Sequence, residues 1–149
     1  MKTGIKPVEP SLTNGHINPS EIKDQHVFVF VTHEHADHYD QNIFKWERSI
    51  KNITYIFGWK AVEDPKYVCM VNPREKKIID DMEILTITST DAGVGFIIKA
   101  DGLVIFHAGD HAHWGGSMDP FVKEIDYLAK NEKEFDIVFL AITTGGGQR

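Results

Sequence analysis

The sequence predicts a mixed α/β protein with antiparallel hairpins, in which a sheet packs against a second layer. Three observations predict it. Short β-branched and aromatic runs outnumber helical patterns, Asp101-Gly102 separates two apolar runs, and a histidine-rich turn starts where an apolar strand stops.

Residues 1–20 carry Pro7, Pro10, Gly15 and Pro19 and read as irregular. Val27-Phe28-Val29-Phe30-Val31 is a continuous apolar run, the pattern of a strand buried on both faces. Ile43, Phe44, Trp46 and Ile50 fall at loosely helical spacing, so 41–50 is expected as a short helix. Ile53–Phe57 and Tyr67–Val71 read as strands, and Ile84–Thr88 alternates as a half-buried strand does. Phe96-Ile97-Ile98 and Leu103–Phe106 flank Asp101-Gly102, a pair suited to a type I′ turn with positive φ at both positions. Phe121, Ile125 and Leu128 mark an amphipathic helix over 119–132, and 137–142 reads as a last buried strand.

The 149 residues read as a single domain, 1–149, with 42% hydrophobic and 26% charged residues, an ordinary soluble composition. A net charge of −6 argues against nucleic acid as a default partner, because phosphates require a basic surface. Cys69 is the one cysteine, so no intramolecular disulfide forms and a reducing compartment is expected. Residues 1–20 have no signal-peptide pattern, and no run approaches the roughly 18 apolar residues that span a bilayer. The expectation is a soluble, cytoplasmic protein acting on a small molecule without membrane contact.

The segment His33-Glu34-His35-Ala36-Asp37-His38 places three imidazoles and two carboxylates in six positions. Neutral imidazole suits zinc, manganese or iron, and Asp37 adds a hard oxygen donor. Just past a strand, His33 and His35 can point the same way, while a tightening turn swings Asp37 and His38 toward a neighbouring position. Such a pair of positions suits two metals in hydrolysis. A solvated polar loop is the bland alternative, and three histidines clustered directly behind an apolar strand weigh against it. His16 and His26 are assigned no role.

A second cluster, His107-Ala108-Gly109-Asp110-His111-Ala112-His113-Trp114, also follows an apolar strand. Asp110, preceded by glycine, can approach a metal closely and bridge two cations. His107 is favoured as a residue orienting Asp110 or a metal ligand. For His111 and His113 an exposed loop weighs at least as much as ligation.

Thr32-His33-Glu34-His35-Ala36-Asp37-His38 resembles the H-x-H-x-D-H signature of the metallo-β-lactamase superfamily, which includes lactamases, glyoxalase II, lactonases, RNases and phosphodiesterases. Ser89–Phe96, Asp101-Gly102 and Phe106–Asp110 are similar to a branch related to ascorbate-phosphate lactonase-like proteins. The resemblance runs from about residue 27 onward and implies an αββα sandwich with metals at one edge of the two sheets. It also implies His33 and His35 on a first metal, Asp37 and His38 on a second, and Asp110 bridging. Three departures stand out. Where the superfamily has a further ligand histidine, this chain has Ser89-Thr90-Asp91, so either Asp91 takes that place as an oxygen ligand or the first metal is held weakly. The last ligand histidine and the usual N-terminal strand pair have no counterpart. The expectation is a chain truncated at both ends, with too few strands for two covered sheets and a tendency to form homo-oligomers.

The favoured function is a metal-dependent hydrolase, with up to two ions, zinc foremost, attacking an ester, lactone or phosphodiester through an activated water. Asp37 would be both ligand and orienter of that water. A non-catalytic metal- or ligand-binding domain, or an inactive fragment of the hydrolase, is the alternative. A redox relative of the flavodiiron kind is set aside, because such loops carry a carboxylate where His35 stands. Trp59, Trp114 and Phe121 are candidates for pocket walls, with packing the more common fate of such residues. Gly145–Gly147 lacks the Lys-Ser/Thr of a phosphate loop and reads as a turn or frayed end.

Overall fold

A computed structural model describes residues 9–60 and 68–142. Among them, strands β1 (His26–Val31), β2 (Asn52–Phe57) and β3 (Val68–Met70) form a parallel sheet in the order β1-β2-β3. The second sheet runs β4 (Lys76–Ile79), β5 (Met82–Thr88), β6 (Val94–Ala100), β7 (Leu103–His107) and β8 (Ile137–Phe139). Its strands are antiparallel except for β8, which lies parallel to β7.

Four layers result, because each sheet is apolar on both faces. Phe28 and Phe30 of β1 and Ile56 of β2 meet Ile84, Phe96 and Ile98 between the sheets. On the outer face of the first sheet, Val27, Val29, Tyr55 and Phe57 pack against Ile43, Phe44 and Trp46 of a 3₁₀ helix, Gln41–Arg48. Tyr55 donates its hydroxyl to the Ile43 carbonyl at 2.9 Å, tying that helix to the sheet. On the outer face of the second sheet, Ile87, Ile97 and Phe106 receive Tyr127 and Leu128 of α1 (Asp119–Asn131). Asp119 in the first turn of α1 and Lys130 in the last complement its dipole. The architecture is the αββα sandwich expected.

The hairpin at Asp101-Gly102 has the backbone its residues demand, with φ of 52° and 77°. Other expectations need correction. Strand β1 does pack on both faces, but it lies at the edge of its sheet, so its side chains are mostly half-buried. The last strand is shorter than 137–142 and exposed rather than buried, because β8 is the outermost strand of its sheet. Two sheets do form, with helical residues packed on the outer face of each, while β8 and the apolar residues after it stay exposed. The strand missed from the sequence is β4, whose Lys-Lys-Ile-Ile alternates by exposure rather than by an apolar run. The helix over 41–50 is a 3₁₀ helix, and the strand expected over 67–71 is described from Val68. No strand precedes His26 among the described residues, where the chain makes two short 3₁₀ turns, Leu12–Asn14 and Pro19–Glu21. Gly145–Gly147 lie outside the described residues. No helix among those residues is long and apolar enough to cross a membrane.

Candidate metal centre

Three strand ends meet at one edge of the sandwich. β1 delivers His33, the turn between β5 and β6 delivers Asp91, and the segment after β7 delivers Asp110. The histidine loop begins with Thr32 and His33, both buried, and closes as a tight turn in which the His35 carbonyl accepts from the backbone N–H of His38 and of Tyr39. That turn returns His38 to His33, with ring centroids 4.1 Å apart, while His35 meets His33 edge to face at 4.6 Å.

Of the six residues singled out from the sequence, His33, His35, Asp91 and Asp110 share one group of donor atoms, and His38 adjoins it through Asp110. His33 Nε2 lies 3.6 Å from Asp110 Oδ2, and His38 Nε2 lies 3.0 Å from Asp110 Oδ1. His35 Nδ1 is 3.6 Å from Asp91 Oδ2, and Asp37 Oδ2 is 3.9 Å from His38 Nε2. One donor atom from each of His33, His35, Asp91 and Asp110 falls within 4.8 Å of the others, a spacing that could hold a metal ion. Asp37 lies beyond that group, reached through His38.

His33 is the inner anchor. Its side chain is 0% exposed, its Nδ1 pairs with the Thr32 hydroxyl at 3.0 Å, and its Nε2 has no hydrogen-bond partner. Burial, reinforced by nearby His38, holds the imidazole below its ordinary pKa, against the pull of Asp110. The ring is therefore neutral at pH 7 with one nitrogen unsatisfied, the state in which imidazole ligates a metal. Gly93 makes this placement possible. A Cβ there would lie 1.9 Å from the Thr32 carbonyl and 2.7 Å from His33 Cβ, and its φ of +65° suits glycine. The Thr32 carbonyl in turn accepts from Val94 N–H at 3.2 Å, linking β1 to β6 across the sheets.

His107 touches the backbone just before Asp110. Its Nδ1 accepts from Gly109 N–H at 3.0 Å, at the left-handed residue (φ +57°) that turns Asp110 toward the histidines. Burial lowers the His107 pKa, keeping that nitrogen free to accept. His111 is not in an exposed loop. It is buried, stacked on Phe121 at 4.9 Å, with neither ring nitrogen in good hydrogen-bonding geometry, although the Glu124 charge and then backbone groups of Phe121 and Thr88 favour its charged form. Burial outweighs them, and the ring's pKa is lowered. His113 is exposed and its Nε2 lies 3.3 Å from the Gly116 carbonyl. Trp59 stacks on Phe57 at 4.4 Å as packing, whereas Trp114 and Phe121 line a cavity of about 90 Å³ beside Thr90.

Sequence reasoning missed Thr32 and Thr90. Nothing in the pattern distinguishes them, since their roles depend on which backbone groups the fold places opposite their hydroxyls.

No family model and no curated protein matches the chain. Among solved structures it is similar to CmlA, a diiron beta-hydroxylase from Streptomyces venezuelae, with TM-score 0.51 and 14% identity over 75% of this chain and 24% of that one. A mutant of the CmlA beta-hydroxylase matches with the same TM-score and identity, over 75% of this chain and 25% of that one. The chain thus spans about a quarter of these neighbours' length. The likeness supports the metallo-β-lactamase-like fold.

Proposed function

We propose that His33, His35, Asp37, His38, Asp91 and Asp110 hold up to two divalent metal ions and that the site hydrolyses an ester, lactone or phosphodiester of a small molecule. The observation that carries this reading is the unpartnered Nε2 of fully buried, neutral His33, facing Asp110. A buried polar atom left unsatisfied is costly, and a cation between His33 and Asp110 would satisfy both. The donors are imidazoles and carboxylates without thiolate, a set that suits zinc, manganese or iron. Such an ion, when bound, supplies Lewis acidity and makes water acidic enough to lose its proton near neutral pH.

The chain's own residues do the rest. Thr32 fixes the His33 ring, so the nitrogen facing Asp110 is always Nε2. Asp110 stands between His33 and His38, 3.6 and 3.0 Å from their Nε2 atoms. Asp37, with its side chain 68% exposed and 3.9 Å from His38, is open to solvent, so its carboxylate would orient the water. The lactonase-like branch named by the sequence resemblance is one source of substrates with this chemistry.

Asp91 favours a second reading. A carboxylate where the superfamily has imidazole makes the site richer in oxygen, which shifts preference toward iron or manganese. An iron-loaded site opens oxygen chemistry of the general kind named for the CmlA hydroxylase.

The test is metal-free protein titrated with zinc, manganese and, anaerobically, ferrous ion. Each loaded form is then assayed on p-nitrophenyl acetate, a simple lactone and bis(p-nitrophenyl) phosphate, and the iron form for oxygen uptake. Binding that disappears in His33→Ala, with turnover of one substrate class, is expected. Equal uptake by wild type and His33→Ala would sink the metal reading. Tight metal without turnover would favour the non-catalytic alternative.

A further inference from the structure

Asp91 and Asp110 follow β5 and β7, which are not neighbours, since β6 lies between them in the sheet. No ladder joins the ends of those two strands, and two strand spacings amount to roughly 9–10 Å. Yet the two carboxylates belong to one group of donor atoms within 4.8 Å of one another. Bringing like charges this close is unfavourable unless something holds the segments together.

The Thr90 hydroxyl does so. It donates to the Ala112 carbonyl at 2.6 Å and accepts from Ala112 N–H at 2.9 Å, serving one residue as donor and acceptor at once. Its oxygen also lies 3.5 Å from the Asp110 carbonyl. Among the described residues, the hydrogen bonds between segments 89–91 and 110–112 all run through this hydroxyl. On either side, the Ser89 hydroxyl accepts from Asp91 N–H at 3.3 Å, and Trp114 Nε1 donates to the Asp110 carbonyl at 2.9 Å.

We infer that Thr90 is a positioning residue of the metal centre: its hydroxyl staples the Asp91 turn to the Asp110 segment and sets the spacing of the two carboxylates before an ion arrives. This inference rests on the metal-site reading above. The staple replaces a missing backbone ladder with a side chain that satisfies both backbone groups of Ala112. Held in place, the carboxylates meet an incoming cation without first having to find each other.

Zinc binding to the whole chain, measured by titration calorimetry with a competing chelator, tests this in three variants. Thr90→Val keeps the shape and deletes the hydroxyl, and should weaken zinc binding by about 10–100-fold, the usual effect of removing a residue that orients a ligand. Thr90→Ser restores the hydroxyl and should stay within about threefold of wild type. In an Asp91→Ala background, Thr90→Val should cost little more, because the staple then has one carboxylate fewer to place. Circular dichroism of the metal-free proteins monitors folding, and Thr90→Ala replaces the valine variant if that one does not fold. A hydroxyl-deleted variant that loses stability but binds zinc like wild type would overturn the inference while the metal site stands. So would an undiminished effect in the Asp91→Ala background. A wild-type chain that takes up no zinc, manganese or ferrous ion would overturn both.

Discussion

His33 and Asp37 stand four residues apart in one loop, yet one side chain is fully buried and the other 68% exposed. The same division runs through the whole centre. His33 and Asp110, the latter 17% exposed, form an inner half backed by strands and glycine contacts. His35 and Asp91, about half exposed, and Asp37 form an outer half open to solvent. The inner half is positioned by backbone packed closely where β1 meets β6, with Gly93 against Thr32 and His33. The outer half is positioned by turns and by hydrogen bonds such as the Thr90 staple. Inner residues should therefore govern whether an ion binds at all, and outer residues how tightly it binds and what it does.

The largest effect is expected from Gly93→Ala. Its Cβ would collide with the Thr32 carbonyl, and the positive φ adds strain, so a loss of at least about 3 kcal/mol is expected along with most metal binding. Urea melts and metal content check this. Near-normal stability would mean that the inner half is far more pliable than its packing implies.

His33→Ala comes next. It should lower metal affinity by roughly 100-fold or more, whereas Asp37→Asn should lower it by less than about tenfold while reducing turnover more steeply. Calorimetry and kinetics on the same preparations separate the two. Equal losses of affinity would erase the distinction between halves.

Asp91→Ala should weaken binding by about tenfold, between those two, because Asp91 pairs with His35 on the exposed side. Unchanged metal content would reduce Asp91 to a turn residue. It would also remove the argument for iron or manganese.

The smallest effect concerns Glu124, which buttresses the outer half from α1 by accepting Thr88 N–H at 3.0 Å and pairing with Arg74 at 2.7 Å. Burial works to raise its pKa, but Arg74 and the Thr88 N–H prevail and hold the carboxyl below its ordinary 4.5. A depressed folded-state pKa means this stability is full above about pH 4.5 and is lost as pH falls through the lower folded value. Glu124→Gln should cost roughly 1 kcal/mol at neutral pH, since Arg74 is partly exposed, and the gap should close in acid. A gap that stays constant from pH 7 to pH 3 would assign the loss to packing instead.

Much of the centre was legible in sequence because its donors are contiguous or follow apolar runs. A strand end exposes the side chains that come next, so His33, His35, Asp37 and His38 behind Val27–Val31 and Asp110 behind Leu103–Phe106 declare themselves. The Asp101-Gly102 turn was equally plain, since few residue pairs accept positive φ twice. Asp91 was legible only through the resemblance, as the strong ligand type in a stretch where a histidine was expected.

Which residues are inner and which outer was not legible. Local sequence sets side-chain chemistry and backbone preference, but burial depends on what packs against a residue from elsewhere in the chain. The apolar pattern of 137–142 implied burial, whereas β8 is exposed, the last strand of its sheet among the described residues. His111 looked like a loop residue and is buried because α1 brings Phe121 over it. Sequence by itself determined the candidate donor residues, the turn chemistry and the layering of apolar faces, all written within a few residues of each other. Only the tertiary structure decided that Gly93 would press on Thr32, that Thr90 would meet Ala112, and that His33 would be the buried nitrogen without a partner, because each depends on segments 20 to 80 residues apart meeting in space.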